Sequence, residues 1–219
     1  MTHRLIFVCE ANICRSPLME LVLRAQRDAA EWETSSAGTR VGSAGARMCA
    51  TSAEIAEIAG DAETPVLAAG HRSEALDADA LRASDLILTA SRAERSAVAA
   101  MVPDARSRAF TLREAAHLGI EPVEPREFDV IAGFDADAAR TTGLARYAEA
   151  LHARRGFSAP PKTGRTLLGR RRRNPFDIPD AHHDSAREHR TMLTATTSDV
   201  VQFLRQATVF LGSPAASAS

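Results

Sequence analysis

The residues best suited to chemistry in this chain are a cysteine and an arginine six positions apart, Cys9 and Arg15, close to the first residue. A thiolate is a strong nucleophile, and a guanidinium presents a planar fork of N–H donors that matches two oxygens of a phosphate. Bent around one anion, the pair supplies a nucleophile and a clamp together. We therefore predict that Cys9 attacks phosphorus and forms a thiophosphoryl enzyme, which water then hydrolyses.

The residues on either side of this pair predict the backbone that such chemistry needs. The apolar run Leu5–Val8 is typical of a buried strand, and Ser16 followed by Pro17 is typical of a helix start. A loop between a strand and a helix N-terminus collects free backbone N–H groups, which bind an oxyanion and favour a thiolate. The residues predicted to line this phosphate site are Glu10, Ala11, Asn12, Ile13, Cys14 and Ser16.

Two of these loop residues have more specific predicted roles. The Ser16 hydroxyl is placed to donate to the Cys9 sulfur and to stabilise it as the leaving group of the second step. Asn12 tolerates a left-handed backbone conformation, so it is expected to tie the loop together.

Strand and helix patterns alternate further along the chain, which predicts an α/β fold with a parallel sheet. The predicted strands are Thr34–Ala37, Asp85–Thr89 and a weaker one at Ser107–Phe110; the predicted helices are Arg47–Ala59, Ser91 to about Met101, residues 134–153, and Asp184–Gln206. We expect residues 1–219 to form a single domain with a frayed tail from about residue 212.

Composition narrows the class of protein. The net charge of −1 gives no general attraction to nucleic acid or to an acidic membrane surface. Three cysteines are too few for a disulfide-stabilised secreted scaffold, and no apolar run approaches the ~18 residues that span a bilayer. We therefore predict a cytoplasmic protein without a membrane partner. We also expect neither a cofactor nor a metal.

Four stretches resemble one enzyme family. The segment VCEANICRSP resembles the C-x5-R-S signature of the low-molecular-weight protein tyrosine phosphatases, directly after a first strand. Ser35–Thr39, Gly70–Leu76 and Asp85–Arg95 are similar to later segments of that family, in the same order. The resemblance covers residues 4 to about 118 and again about 177–206. It implies a three-layer α/β fold, with a four-stranded parallel sheet flanked by helices and a phosphate-binding loop between the first strand and first helix.

The resemblance also implies roles for particular residues. Cys9 matches the nucleophile and Arg15 the phosphate clamp of a phosphomonoester hydrolase similar to protein tyrosine phosphatases. Asn12, Ser16, Ser36 and His71 match the hydrogen-bond network that organises the phosphate loop. The implied substrate is a phosphorylated protein or a small aryl phosphate.

The family's general acid is an aspartate ahead of the last helix, and here the matching stretch is FDIPDAHHDSA. Asp180 aligns with it, and Asp177 is the alternative. Ala181 stands where the family has proline and His182 where it has an aromatic ring, and Arg40 and Val41 stand where some members have another ring. These departures leave the preference for phosphotyrosine open.

The basic segment and Cys14 can each be interpreted in two ways. A basic loop insertion at about 154–176 carries eight basic residues and no acidic one between Arg154 and Arg173. It is either a solvated loop or a docking surface for an acidic partner. Cys14 is either a packed loop residue or the partner of Cys9 in a reversible disulfide, as in some members of the family, whereas Cys49 is expected in a helix core.

Two other functions remain as alternatives to a phosphatase. An arsenate reductase on the same scaffold needs further cysteines for its thiol relay, and none follows Ala50. A non-catalytic phosphate-binding module is the second alternative, and the presence of Cys9, Arg15 and an aspartate near position 180 argues against it.

Overall fold

The structure is a computed structural model that describes residues 2–26, 31–42, 45–134, 141–159, 161, 174–182, 184–213 and 216. The sheet has four parallel strands in the order β2-β1-β3-β4. The strands are β1 (His3–Cys9), β2 (Trp32–Gly38), β3 (Leu86–Thr89) and β4 (Ala109–Thr111). The predicted four-stranded parallel sheet is therefore confirmed.

Helices cover both faces of this sheet, which makes the three layers that were predicted. They are α1 (Arg15–Arg24), α2 (Ala50–Ala59), α3 (Thr64–Gly70), α4 (Ala78–Ala83), α5 (Arg92–Met101), α6 (Leu112–Leu118), α7 (Pro125–Phe134), α8 (Gly143–Arg154) and α9 (Ala186–Leu211), with a 3-10 helix at Pro103–Ser107. Among the described residues, no helix combines the length and the apolar character needed to cross a membrane.

Side chains of β1 alternate between two hydrophobic clusters, as expected for a strand buried on both faces. Leu5, Phe7 and Cys9 face the larger cluster, which also takes residues from α1, α6, α8 and α9. Ile6 and Val8 face the smaller cluster under α4 and α5. The end of the central strand therefore delivers Cys9 to the carboxyl edge of the sheet, where open α/β folds bind ligands.

Several predicted element boundaries are wrong. Cys14, not Ser16, is the N-cap of α1, so Ser16 lies inside the first turn. Helix α2 begins at Ala50 rather than at Arg47, and Cys49 is its half-buried N-cap rather than a residue of a helix core. The side chain of Cys49 accepts a hydrogen bond from Ser52 N, which is what a capping residue does.

The single helix predicted over residues 134–153 is also wrong. Helix α7 ends at Phe134, where the predicted helix would begin, and α8 starts only at Gly143, with a left-handed φ of 58°. A left-handed residue cannot continue a right-handed helix, so the chain restarts there. Helix α9 extends five residues past the predicted end at Gln206, because Ala207 and Phe210 continue its buried stripe.

The start of the predicted basic loop belongs instead to α8. Arg154 is the last residue of that helix and pairs with Glu127, while Arg155 caps it and pairs with Glu114. Both guanidinium groups therefore form ion pairs with carboxylates of this same chain. The rest of the basic segment, residues 162–173, lies outside the described residues, as does most of the predicted frayed tail.

Candidate active site

The loop between β1 and α1 surrounds the sulfur of Cys9 with donors. The backbone N–H of Asn12 lies 3.2 Å from Cys9 Sγ, and the Ser16 hydroxyl donates to the same sulfur at 3.1 Å. Cys9 is 2% exposed, so little water competes for these contacts. Donors aimed at a shielded sulfur stabilise negative charge on it, which suits both a nucleophile and a leaving group.

Asn12 holds the loop in shape from its centre. Its φ of 55° is the only left-handed value at a non-glycine residue among the described positions. The preceding residue, Ala11, is therefore not left-handed, and its side chain causes no backbone strain. The buried Asn12 Nδ2 donates to Ser16 Oγ and to Ser36 Oγ, both at 2.9 Å. The Asn12 Oδ1 accepts from the backbone N–H of Glu74 at 2.8 Å, a contact that the sequence did not indicate.

Neighbouring strands and loops brace the same turn from outside. His71 Nε2 lies 2.9 Å from the carbonyl oxygen of Asn12, which brings the predicted supporting histidine to the loop. At the end of β2, a Cβ added to Gly38 would lie 2.8 Å from the carbonyl oxygen of Glu10. Position 38 therefore requires glycine for the strand to pack this closely against the phosphate loop.

Arg15 is buried between two carboxylates. Its side chain is 5% exposed, its NH2 group donates to Asp180 Oδ2 at 2.8 Å, and its NH1 group lies 3.5 Å from Glu94 Oε1. Glu94 on α5 is itself buried, and the Ser91 hydroxyl donates to its other oxygen. A fixed carboxylate on one side holds the guanidinium in place while its other side faces the pocket.

The two aspartates considered as general acid lie in different surroundings. The Asp180 side chain is 45% exposed and lines the pocket that contains Cys9. Asp177 instead accepts hydrogen bonds from the backbone N–H of Arg92 at 2.9 Å and from its guanidinium at 3.2 Å. The structure therefore brings Asp180 to Arg15, while Asp177 serves the N-terminal end of α5. Ala181, in place of the family's proline, is buried.

These groups open into one pocket of about 600 Å³. Its wall includes Cys9, Ile13, Arg15, Arg40, Asp180 and His182. No Phe, Tyr or Trp is among its described lining residues, in keeping with the departures seen in the sequence. At the rim, the exposed side chains of Arg40 and Glu10 form an ion pair at 3.1 Å.

A second group of reactive side chains adjoins the pocket and was not expected from the sequence. Cys14, Cys49, His182 and His189 approach one another from separate elements. A hydrogen bond from Cys14, helped by Ser52 and by the nearby histidines, lowers the pKa of Cys49 to about 6 despite burial. The same hydrogen bond, together with burial, raises the pKa of Cys14. Cys9 and Cys14 are both free thiols in this structure.

Solved structures with the same fold include proteins that are distant in sequence. A low molecular weight protein tyrosine phosphatase from T. tengcongensis matches 93% of this chain over 99% of its own, with a TM-score of 0.58 and 17% identity. The match to the YwlE arginine phosphatase from Geobacillus stearothermophilus covers 93% of this chain and 91% of that protein, with a TM-score of 0.56 and 17% identity. The match to Vibrio vulnificus Wzb in complex with benzylphosphonate covers 94% of this chain and 98% of that protein, with a TM-score of 0.54 and 17% identity. These likenesses define the fold class.

A comparison with protein families defines the family. Residues 4–123, more than half of the chain, match the low molecular weight phosphotyrosine protein phosphatase family. No curated protein matches the chain significantly. The chain belongs to the low molecular weight phosphotyrosine protein phosphatase family, as its first loop led us to expect. It is a cysteine-based phosphatase that acts on phosphorylated substrates, and arsenate reduction is not favoured over that activity.

Proposed function

We propose that Cys9 is the nucleophile, Arg15 the phosphate clamp and Asp180 the general acid of phosphomonoester hydrolysis. The observation that carries this assignment is that all three line one pocket, with Arg15 bonded to Asp180 at 2.8 Å and two donors on the Cys9 sulfur. Asn12, Ser16, Ser36 and His71 hold the loop that binds the phosphoryl group.

The proposed reaction has two steps. The Cys9 thiolate attacks phosphorus, the bond from phosphorus to the leaving oxygen breaks, and Asp180 gives that oxygen its proton. In the second step Asp180 takes a proton from the water that attacks phosphorus, and the Cys9 thiolate leaves. The Ser16 hydroxyl, 3.1 Å from the sulfur, stabilises the departing thiolate. Backbone N–H groups of the loop and the Arg15 guanidinium hold the phosphoryl oxygens throughout.

Substrate and Asp180 compete for one guanidinium in this scheme. In the structure Arg15 NH2 donates to Asp180 Oδ2 at 2.8 Å. A bound phosphoryl dianion takes over the Arg15 donors and places negative charge beside the carboxyl group. Asp180 is then released from Arg15 and can turn to the leaving oxygen, to which it gives its proton.

The pocket wall favours an aryl phosphate, such as phosphotyrosine in a protein. The apolar side chain of Ile13 lies on the wall and suits a ring better than a cation. A phosphoarginine guanidinium would need a carboxylate partner, and the pocket offers Glu10, which is paired with Arg40, and Asp180. Because similar structures include an arginine phosphatase and a benzylphosphonate complex, both leaving groups need to be compared directly.

Hydrolysis of p-nitrophenyl phosphate tests the assignment. We expect Cys9→Ser and Arg15→Ala to abolish activity, and Asp180→Ala to lower kcat by about two to four powers of ten, the range of general acid catalysis. Asp177→Ala is the matched control, because it removes a carboxylate of the same loop that points away from the pocket. A greater loss in Asp177→Ala than in Asp180→Ala would contradict the assignment.

The leaving group is tested with peptides of one sequence that carry phosphotyrosine or phosphoarginine. We expect a higher kcat/KM for phosphotyrosine; the opposite order would reject the aryl proposal. An acidic partner at residues 154–176 stays a prediction, which acidic residues added to the same peptide would test. A cytoplasmic location, inferred from the few cysteines, also stays a prediction.

A further inference from the structure

Four metal-binding side chains converge beside the phosphate loop: Cys14, Cys49, His182 and His189. Their ligand atoms all lie within 4.8 Å of one another. Cys14 Sγ is 3.1 Å from His182 Nδ1, and Cys49 Sγ is 4.0 Å from His189 Nε2. Two thiols and two imidazoles in one group form a donor set that zinc prefers in proteins.

We propose that these four side chains bind one Zn²⁺ ion in a tetrahedral Cys2His2 site. Zn–S bonds of about 2.3 Å and Zn–N bonds of about 2.0–2.1 Å require ligand atoms about 3.3–3.8 Å apart. The separations of 3.1 and 4.0 Å lie on either side of that range, and the 4.8 Å limit exceeds it by about 1 Å. Small rotations of the side chains therefore suffice to close the site.

A pair of thiols alone does not account for this arrangement. A disulfide between Cys14 and Cys49 would use two sulfurs and give neither histidine a purpose. Yet each histidine directs a ring nitrogen at a different thiol, and the two rings meet edge to face with centroids 5.3 Å apart. Two thiolates also supply the two negative charges that neutralise a divalent ion.

Burial and ligand number indicate a structural metal rather than a catalytic one. Cys14 and His189 are 8% and 7% exposed, so the protein shields one side of the site from water. Four protein ligands fill a tetrahedral shell and leave no position for a water molecule or a substrate. The ion would therefore hold elements together and would take no direct part in phosphoryl transfer.

The ligands connect four separate parts of the chain. Cys14 closes the phosphate loop as the N-cap of α1, Cys49 is the N-cap of α2, and His189 lies in the first turns of α9. His182 lies on the loop of Asp180, and its backbone N–H donates to Asp180 Oδ1 at 3.2 Å. Zinc would tie this loop to the phosphate loop, and ligation of Cys14 would prevent a disulfide with Cys9. Any effect of the bound zinc on catalysis through Asp180 rests on the proposed role of Asp180 as general acid.

Metal content of the full-length protein tests the site. Protein produced with zinc in the medium, purified with its thiols reduced and then dialysed, is expected to hold one zinc per chain. Cobalt in place of zinc should give the intense visible bands of a tetrahedral ion and a near-ultraviolet thiolate charge-transfer band. In Cys49→Ser and His189→Gln we expect zinc affinity to fall by more than the about 10–100-fold that loss of an outer-shell partner causes.

Two control variants separate this proposal from the proposed catalytic roles. Cys9→Ser removes a nearby thiol that is not a ligand, so it should keep one zinc while it loses phosphatase activity. His117→Gln removes a histidine outside the group and should also keep the metal. Dialysed wild-type protein without zinc and without the tetrahedral cobalt spectrum would overturn the proposal, as would unchanged affinity in both ligand variants. If Cys49→Ser does not fold, His189→Gln and the wild-type stoichiometry decide.

Discussion

At the scale of single residues, the proposed phosphate clamp Arg15 is held by a carboxylate that is not among the described lining residues of the pocket. Glu94 lies 3.5 Å from the Arg15 guanidinium, and both side chains are almost fully buried. A buried charge that loses its partner is costly, so the geometry of Arg15 is coupled to Glu94. Glu94 is therefore a positioning residue in the proposed reaction, since it acts through Arg15.

We expect Glu94→Gln to weaken inhibition by inorganic phosphate by about tenfold, which corresponds to about 1.4 kcal/mol. The amide keeps the shape of the side chain but loses the charge that fixes Arg15. The measurement is the inhibition constant of phosphate, with KM and kcat for p-nitrophenyl phosphate determined in parallel. The control is Glu33→Gln, which removes an exposed carboxylate paired with Arg4 far from the pocket. An unchanged inhibition constant with lower folding stability would assign Glu94 a purely structural role.

At the scale of elements, α6 and α8 are joined through one carboxylate. Glu114 completes the capping box of α6 with Thr111, and its side chain also pairs with Arg95 at 2.5 Å and Arg155 at 3.0 Å. The guanidinium of Arg155 in turn lies 3.9 Å from the ring centroid of Phe110 in β4. One buried acid thus connects a strand end, two helices and the cap of a third.

This connection predicts a dependence of stability on pH. Burial alone would raise the pKa of Glu114, but the hydrogen bond and charge of Arg155 and the charge of Arg95 outweigh it and lower the pKa below its usual 4.5. A lowered folded-state pKa means that the stabilisation is complete above about pH 4.5 and is lost as pH falls through the folded value. We expect the free energies of unfolding of wild type and Glu114→Gln to differ most near neutral pH and to converge in acid.

Urea unfolding from pH 7 down to pH 3 measures this difference. Glu57→Gln, on the exposed side of α2, is the control and should follow the wild-type curve throughout. A gap between wild type and Glu114→Gln that stays constant into acid would show that the carboxylate charge does not matter.

At the scale of the whole molecule, α8 and α9 seal the larger hydrophobic cluster with aromatic rings. Tyr147 and Phe210 have ring centroids 5.0 Å apart, and Phe203 packs against Tyr147 at 6.4 Å. Tyr147 is 1% exposed, and its hydroxyl finds no hydrogen-bond partner among the described residues. Its burial raises the pKa of Tyr147, since a charged phenolate would be unfavourable there.

We expect Tyr147→Phe to leave the free energy of unfolding unchanged or to raise it by about 1 kcal/mol, because a buried unsatisfied hydroxyl costs stability. Phe203→Ala is the contrasting variant, and it should lower that free energy by about 3–5 kcal/mol through the cavity it creates. Chemical denaturation at neutral pH measures both. A loss of more than about 1 kcal/mol in Tyr147→Phe would mean that the hydroxyl does have a partner.

The sequence by itself determined the features that depend on residues close together in the chain. The apolar run before Cys9, the six-residue spacing to Arg15 and the tolerance of Asn12 for left-handed backbone indicated the phosphate loop. The alternation of strand and helix patterns indicated the parallel sheet. These signals are local because a strand, a tight loop and a helix start are set by neighbouring residues.

Only the tertiary structure decided which distant groups meet. Nothing near Glu94 in the chain indicates that it faces Arg15, and two aspartates three residues apart carry the same local signal although only Asp180 reaches the pocket. The four residues of the proposed zinc site come from four elements and share no sequence spacing. Their positions follow from how helices pack on the sheet, which depends on shape and burial over the whole chain.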